Sequence, residues 1–396
     1  MLGLWLCCAL LQCLLFALLL SCGRKLAVRA ARERELCQRV PDVGWPRAAM
    51  IIPVAGSHPD MEKALTSLVE QDCPQLVPVM VTATAEEEAA QLIGSLREKF
   101  PQIRHIVAGI AKGCGQKNHN SLQGIAALGD SVDVYLFCDS THLAEPDFAR
   151  CLMGPVVRGE AAFSTGYHVV EPQDDQPITL AYALSVLLMR FLQALSAFTQ
   201  PWGGAMCMSR HAFEQYQVAK LWENNVVDDC SLAAHLQEQG AHVRLCTAAL
   251  LRTRAAGHRL AVWRAWMDRQ VLFLKFCMPG QWLLLGVLAL LMALPPLGAA
   301  LALTAGLFGM GSAAASLLSL LWLALLAVSL GPWRAFLGRH GNEQPPLIRW
   351  LWAFGWAAGM FGLVYAQSIK AREIVWKDFT YVVGRGGRIL DVRKLS

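Results

Sequence analysis

The sequence predicts an α/β domain, built on a mostly parallel sheet with helices on both faces and held between apolar membrane helices at the two ends of the chain. Three observations lead there. Strand-like apolar runs alternate with helix-period segments between residues 48 and 138, and such alternation means a parallel sheet covered on both faces. Four apolar stretches, 2–21, 282–307, 312–330 and 348–368, are long enough for a bilayer at about 20 residues per span. Between them, over roughly 46–269, charged and apolar residues mix as in a globular core. At 55% hydrophobic and 16% charged residues, the 396-residue chain is too apolar for an ordinary soluble enzyme.

Taken in order, residues 48–54 read as a short buried strand and 59–70 as a helix with Met61, Leu65 and Leu68 at helical spacing. A second strand at 77–84 is followed by a helix at 86–100 with Ala89, Ala90, Ile93 and Leu96 on one side. A third strand at 103–108 leads to a helix at 117–128, with Leu122, Ile125 and Ala126 inward, and a fourth strand covers 132–138. This half reads as a doubly wound unit, in which ligands bind beyond the carboxyl ends of the strands. After Asp139 come a candidate strand at 161–167, an apolar helix at 178–198 and the Gly203-Gly204 turn entering a strand. A helix at 229–239 carries Leu232, Ala233 and Leu236 on its face, with Gly240 as C-cap, and a strand follows at 242–247. Residues 259–275 mix Trp263 and Trp266 with Arg259, Arg264, Arg269 and Lys275, a composition suited to a helix in the membrane interface.

The expected organisation is an anchor at 1–23, a basic juxtamembrane linker at 24–45, the α/β domain at 46–258, the interface helix at 259–279, membrane segments at 280–370 and a basic tail at 371–396. Arg24, Lys25, Arg29, Arg32, Arg34 and Arg39 follow the first apolar stretch, and no Lys or Arg precedes it. The positive-inside rule then gives an integral membrane protein with its central domain in the cytoplasm. Four complete spans would leave the C-terminus outside, whereas Lys370, Arg372, Lys377, Arg385, Arg388, Arg393 and Lys394 argue for the inside. One of the three late segments is therefore expected to be re-entrant or interfacial. The net charge of +5 sits largely in these two clusters and suits an anionic membrane surface. It is not interleaved with aromatics, so nucleic acid is not an expected partner. Thirteen scattered cysteines form no Cys-x-x-Cys pair and read as reduced thiols.

Short motifs follow one another along the chain in a distinctive order. The motifs are Ile51-Ile52-Pro53-Val54, Ser67-Leu68-Val69-Glu70-Gln71-Asp72-Cys73-Pro74, Gln116-Lys117-Asn118-His119-Asn120-Ser121-Leu122 and Phe137-Cys138-Asp139-Ser140. Then follow Gly203-Gly204-Ala205-Met206-Cys207-Met208-Ser209-Arg210, the Asp228-Asp229 helix, Trp376-Lys377-Asp378-Phe379-Thr380-Tyr381 and Gly386-Gly387-Arg388. In this order they resemble the ceramide glucosyltransferase family, GT-A glycosyltransferases with bacterial lipid-modifying relatives. The resemblance implies a GT-A-type nucleotide-sugar-binding domain that moves a hexose, with inversion, from a UDP-sugar to a lipid hydroxyl such as that of ceramide. It also implies a divalent metal, Mg or Mn, on the diphosphate. Asp139 matches the metal-holding Asp, Asp229 the base that deprotonates the acceptor, and Lys117 with Asn118 a segment approaching the nucleotide.

Three positions depart from the family pattern. The early Asp near the uridine is absent from Thr82-Ala83-Thr84-Ala85-Glu86-Glu87-Glu88, where Glu86 is the candidate substitute. The mid-domain motif holds one Asp, with His142 nearby as a candidate second metal ligand. On the interface helix Arg269 is kept, but Gln270 stands where the family carries Trp.

The chemistry needs a cation to neutralise the departing diphosphate and a carboxylate to take the acceptor proton. Asp139, at the end of an apolar strand, competes with an N-cap reading. Asp229 and Asp228 compete with a purely helix-capping role, but adjacent carboxylates raise one another's pKa, which favours a base. Lys117 reads as a phosphate contact or a solvated lysine, and Arg269 as a diphosphate ligand or a snorkelling side chain. Trp202 beside Gly203 is a candidate acceptor platform, as are Trp263 and Trp266 on the interface helix. Two other readings share the core: a processive polysaccharide synthase, which normally has more membrane helices and retains Arg-Trp, and a catalytically degenerate scaffold.

Overall fold

The computed structural model describes residues 2–337, 344–376 and 379–394. Lys377 and Asp378 of the tail motif lie outside the described residues. The elements are α1 (Leu2–Gln38), β1 (Ala48–Pro53), α2 (Met61–Val69), β2 (Leu76–Thr82), α3 (Glu88–Lys99), β3 (Arg104–Val107), α4 (Gln116–Ala126) and β4 (Val134–Cys138). Next come α5 (Phe148–Val157), β5 (Phe163–Pro172), α6 (Pro177–Leu192), β6 (Ala205–Ser209), α7 (Arg210–Gln215), α8 (Val218–Trp222), α9 (Asp229–Glu238) and β7 (Val243–Ala255). The chain closes with α10 (Leu260–Cys277), α11 (Pro279–Leu307), α12 (Ala313–Trp333), α13 (Leu347–Ser368), β8 (Glu373–Trp376), β9 (Phe379–Val383) and β10 (Ile389–Lys394).

The main sheet has seven strands in the order β3-β2-β1-β4-β6-β5-β7. β3, β2, β1 and β4 run parallel, β6 is antiparallel to β4 and β5, and β5 pairs parallel with β7. The expected α/β architecture is thus the one observed. Met50, Ile52 and Leu136 on one face join α2, α3 and α5 in one core, and Ile51, Val79 and Phe137 on the other pack with α4, α8 and α9. The alternation follows from the two-residue period of a strand buried on both faces.

Among the described residues, four helices, α1, α11, α12 and α13, are long and apolar enough to cross a membrane. Pro295 and Pro296 interrupt α11 and leave the carbonyls of Leu291 and Met292 without their helical donors. Gln12 of α1 donates Nε2 to both, at 2.9 and 3.4 Å, and its Oε1 accepts from Trp322 Nε1 of α12 at 3.0 Å. One amide therefore joins three helices where water cannot satisfy the backbone.

Two stretches differ from expectation. Residues 24–38, read as a linker, continue α1 as helix, and Glu33 plugs into the sheet. The β5–β7 register shifts between Thr165 and Tyr167, and the bulge leaves the N–H groups of Thr247 and Ala248 without a strand partner. Glu33 Oε2 accepts from both, at 2.6 and 3.1 Å, and from Thr247 Oγ1 at 2.7 Å. The basic tail folds as an antiparallel sheet, β10-β9-β8, whose Ile374, Tyr381 and Val383 pack with α9 and α10. Trp263, expected in the acyl boundary, is wholly buried in protein among residues of α6 and α13. Trp266 is half-buried edge-on to Tyr182, ring centroids 5.3 Å apart. α10 is apolar on more than one face, so its tryptophans serve packing against other helices.

Candidate active site

β4 ends at Cys138, which pairs with Ala205 at the start of β6. That register sets the Gly203-Gly204 turn beside Asp139, whose N–H donates to the Gly204 carbonyl at 3.3 Å. α4 brings Lys117 in its first turn, and α9 opens on Asp229. The carboxylates therefore gather beyond the carboxyl end of β4, where α/β sheets hold ligands.

Lys117 is the centre of the cluster. Its Nζ lies 2.7 Å from Asp139 Oδ1 and 2.9 Å from Asp228 Oδ2, and it donates to the Gly203 carbonyl at 3.0 Å. The ammonium thus sits between two carboxylates and one backbone carbonyl. Burial alone would lower the Lys117 pKa, but Asp139, Asp228 and Asp229 around it push it well above the ordinary lysine value. Burial likewise favours the neutral acid at Asp139, yet the Lys117 charge holds this carboxyl well below the usual range. The Lys117–Asp228 approach is close but poorly directed, and Asp228 Oδ2 lacks a well-formed hydrogen bond.

Asp229 is set differently. Its Oδ2 accepts from the Gly203 N–H at 2.9 Å and its Oδ1 from the Cys230 N–H at 2.6 Å. Burial and the neighbouring Asp228 charge push its pKa up to about 6, against the opposing pull of Lys117 and these two N–H groups. A carboxylate poised near neutrality is suited to accept a proton.

Gly203 has no room for a side chain. A Cβ there would press on the Asp228 carboxylate and lie 2.7 Å from Lys117 Nζ. Gly203→Ala is expected to displace the ion pair and lower turnover on the order of 10²-fold, the cost of misplacing catalytic groups by about 1 Å. Steady-state kinetics beside a melting curve check this, and an Ala variant of normal turnover would detach Gly203 from the site.

His142 is buried beside Asp139, with Nε2 3.8 Å from Asp139 Oδ2. That gap is too long for a hydrogen bond, which leaves Asp139 Oδ2 and His142 Nε2 as the candidate ligand atoms at this corner of the site. Its Nδ1 is 2.8 Å from Thr253 Oγ1, which is also 2.8 Å from His168 Nδ1. One hydroxyl donates to one ring and accepts from the other, which fixes the His142 ring and leaves Nε2 facing Asp139. Trp202 stacks on His168, centroids 4.7 Å apart and planes at 6°. Asp139 is one-third exposed, so the pair is open to ligand. Among the described residues no group of three or more His, Cys, Asp or Glu side chains forms a complete metal centre.

The remaining predicted residues lie elsewhere. Asn118 is fully buried and donates to the carbonyls of Trp222 and Asn225, at 3.3 and 2.9 Å, so it ties α4 to the loop before Asp228 rather than facing a nucleotide. Glu86 is exposed in the turn after β2; the neighbouring Glu87 accepts from the Thr84 N–H at 3.1 Å. Arg269 is half-buried on α10, its pKa lowered by burial.

A cavity of about 480 Å³ opens between α1, α6, α10, α11 and α13 and reaches Asp229. Phe16, Leu188, Leu288 and Phe361 give it an apolar wall, and Trp202, Tyr167, Gln200 and Gln270 line it with polar atoms. Gln270, the departure from the family pattern, thus faces this cavity. Tyr167 was not singled out in the sequence; burial and the nearby Asp229 charge push its phenol pKa well up. The tail sheet reaches the same region: the Val226 N–H donates to the Gly387 carbonyl at 3.2 Å and the Ile389 N–H to the Asn224 carbonyl at 2.9 Å.

An α/β sheet with paired acidic groups beyond a strand end, joined to a membrane-helix bundle, has the character of a membrane-bound group-transfer enzyme. The chain belongs to glycosyl transferase family 21, whose description matches residues 7–389. No curated protein matches the chain. Among solved structures it is similar to the mannosyltransferase PcManGT from Pyrobaculum calidifontis in complex with GDP-Man and Mn2+, at 16% identity over 88% of this chain and 99% of that one, with a TM-score of 0.49. It is also similar to glucosyl-3-phosphoglycerate synthase from Mycobacterium tuberculosis in complex with phosphoglyceric acid, at 15% identity over 59% and 81% of the two chains, with a TM-score of 0.37.

Proposed function

We propose that the protein is an inverting glycosyltransferase that moves a hexose from a UDP-sugar to the hydroxyl of a membrane lipid of the ceramide class, on the cytoplasmic side of the membrane. The observation that carries this reading is the apolar cavity that runs from between the membrane helices to Asp229. A lipid can enter it sideways and bring its hydroxyl to the carboxylate without leaving the bilayer.

Asp229 takes the acceptor proton as the sugar bond forms. Gly203 and Cys230 orient it through their N–H groups. Lys117 keeps Asp139 ionised and holds Asp139 and Asp228 in register. Asp139 with His142 would hold a divalent cation, which supplies charge neutralisation for the departing diphosphate. Trp202 forms the wall between the metal side and the acceptor cavity, and Gln270 offers an amide to the acceptor.

Ala357 of α13 lines the cavity away from the carboxylates. Ala357→Phe is expected to fill it and reduce lipid glycosylation roughly tenfold or more, since overfilling a packed space costs about 1–3 kcal/mol. UDP-sugar affinity, measured by calorimetry, should stay unchanged. Full lipid transfer in this variant would mean that the acceptor binds elsewhere.

A further inference from the structure

The last long apolar helix has both of its ends on the same side of the bundle. α13 has 22 residues, about 33 Å at 1.5 Å per residue, so length alone would let it cross. Its partners place it otherwise. At its start, Arg349 pairs with Asp175, in the loop between β5 and α6, at 3.4 Å. Arg334, just after α12, donates to the Pro345 carbonyl at 3.2 Å. That end of α12 is the end nearer the domain, because Trp333 meets Phe191 of α6 with ring centroids 5.6 Å apart. At the other end of α13, Trp282 Nε1 donates to Ser368 Oγ at 3.0 Å. Lys275 donates to the carbonyls of Ser368, Ile369 and Ala371 at 2.6, 3.0 and 2.7 Å. Lys275 and Trp282 flank the point where the chain leaves α10 for α11, again beside the domain.

The faces of α13 differ as well. Trp350, Phe354, Phe361 and Val364 are buried against the neighbouring helices. Ile348, Trp352, Trp356 and Leu363 point outward, exposed by 58, 64, 45 and 47%. Charged side chains are absent from residues 350–369. An apolar stripe with two outward tryptophans suits the boundary between headgroups and acyl chains. The stripe is continuous with the lipid-facing bundle, because α13 packs on α11 and α12.

The chain beyond α13 returns to the domain. The tail sheet packs on α9 and α10 and bonds to the loop before Asp228. A crossing α13 would put tail and domain on opposite sides, whereas three crossings by α1, α11 and α12 put them together.

We propose that α13 does not cross the membrane but lies along the leaflet that faces the α/β domain, with its Ile348–Trp352–Trp356–Leu363 stripe against the acyl boundary. The inference is independent of which substrates the enzyme uses. It also decides which late segment is interfacial, and so removes the conflict between four apolar stretches and a basic C-terminus.

The test uses the full chain in sealed liposomes of phosphatidylcholine and phosphatidylglycerol. A fluorescent amino acid is placed singly at Ile348, Trp356 and Leu363, with Leu290 of α11 and Leu317 of α12 for comparison. Quenching by lipids brominated at shallow or deep acyl positions reads the depth. All three α13 positions should show the same shallow depth, and at least one comparison position should lie deeper. In parallel, epitope tags at the C-terminus and at Met310, in the turn between α11 and α12, are probed with external protease. The C-terminal tag should be cut together with the α/β domain and the Met310 tag protected, or the reverse in vesicles of opposite orientation. A depth that changes steeply along α13, or a C-terminal tag that shares the side of Met310, overturns the proposal. So does an absence of lipid quenching at all three positions with cross-linking between copies, which would assign the stripe to a second copy of the chain.

Discussion

Asp229→Asn is expected to lose turnover by about 10²–10⁴-fold, the range of a general-base contribution, while still binding the nucleotide-sugar. Asn keeps the shape, and its one carbonyl oxygen can still receive either the Gly203 or the Cys230 N–H group. What it loses is the ability to take a proton. The pH dependence follows from the raised pKa. The acid form cannot act as a base, so kcat/KM of wild type should be level above about pH 6 and fall tenfold per pH unit below it. In the Asn variant that acid limb should disappear. Should Asp228→Asn prove the damaging change and Asp229→Asn the mild one, the base is the residue that pairs with Lys117.

Asp139→Asn is the second large effect. The carboxylate is the partner of both Lys117 and His142, and an amide holds neither an ammonium nor a divalent cation strongly. Transfer should be abolished while the protein stays folded and membrane-bound. Titration of Mn²⁺, followed by its electron paramagnetic resonance signal in the presence of UDP, should show tight binding in wild type and none in the variant. Near-normal turnover with Mg²⁺ or Mn²⁺ would remove Asp139 from the metal role.

The parallel half of the sheet was legible because β1, β2 and β4 are buried on both faces and so read as unbroken apolar runs. Asp139 and the Asp228-Asp229 pair stood out for the same reason, as charges at the ends of apolar segments. α5 was missed: Gly154 and Pro155 near its end weaken the helical pattern. β5 runs five residues beyond its expected end, since polar His168 is buried inside it and satisfied by a bond that only the fold supplies. His168 and Thr253 lie 85 positions apart and meet through the β5–β7 register, which no local spacing announces.

The interface residues show the opposite error. Trp263 and Asn118 carried a functional reading because tryptophan near basic residues, and an amide beside a lysine, have that chemistry. Burial decided otherwise, and burial depends on which helices arrive from distant parts of the chain. The tail hid its fold because its scattered Arg and Lys read as a cluster for a membrane surface. Yet alternation in Phe379-Thr380-Tyr381-Val382-Val383 was present, and Gly387 marks the contact. Its φ is +81°, and a Cβ there would meet Cys277 Sγ at 2.6 Å and Asn225 Oδ1 at 3.1 Å.

The central claim is that Asp229 catalyses transfer to a lipid presented through the cavity. The most direct measurement is a radiolabel partition. The full-length protein in liposomes containing ceramide receives UDP-[¹⁴C]hexose, and label is followed in organic-phase lipid and in water-soluble product, for wild type and Asp229→Asn. The account predicts a single-sugar lipid product in wild type, little label on a water-soluble alcohol offered at equal concentration, and loss of the lipid product in the variant. Label that accumulates as water-soluble polymer, or lipid labelling that persists undiminished in Asp229→Asn, would contradict it.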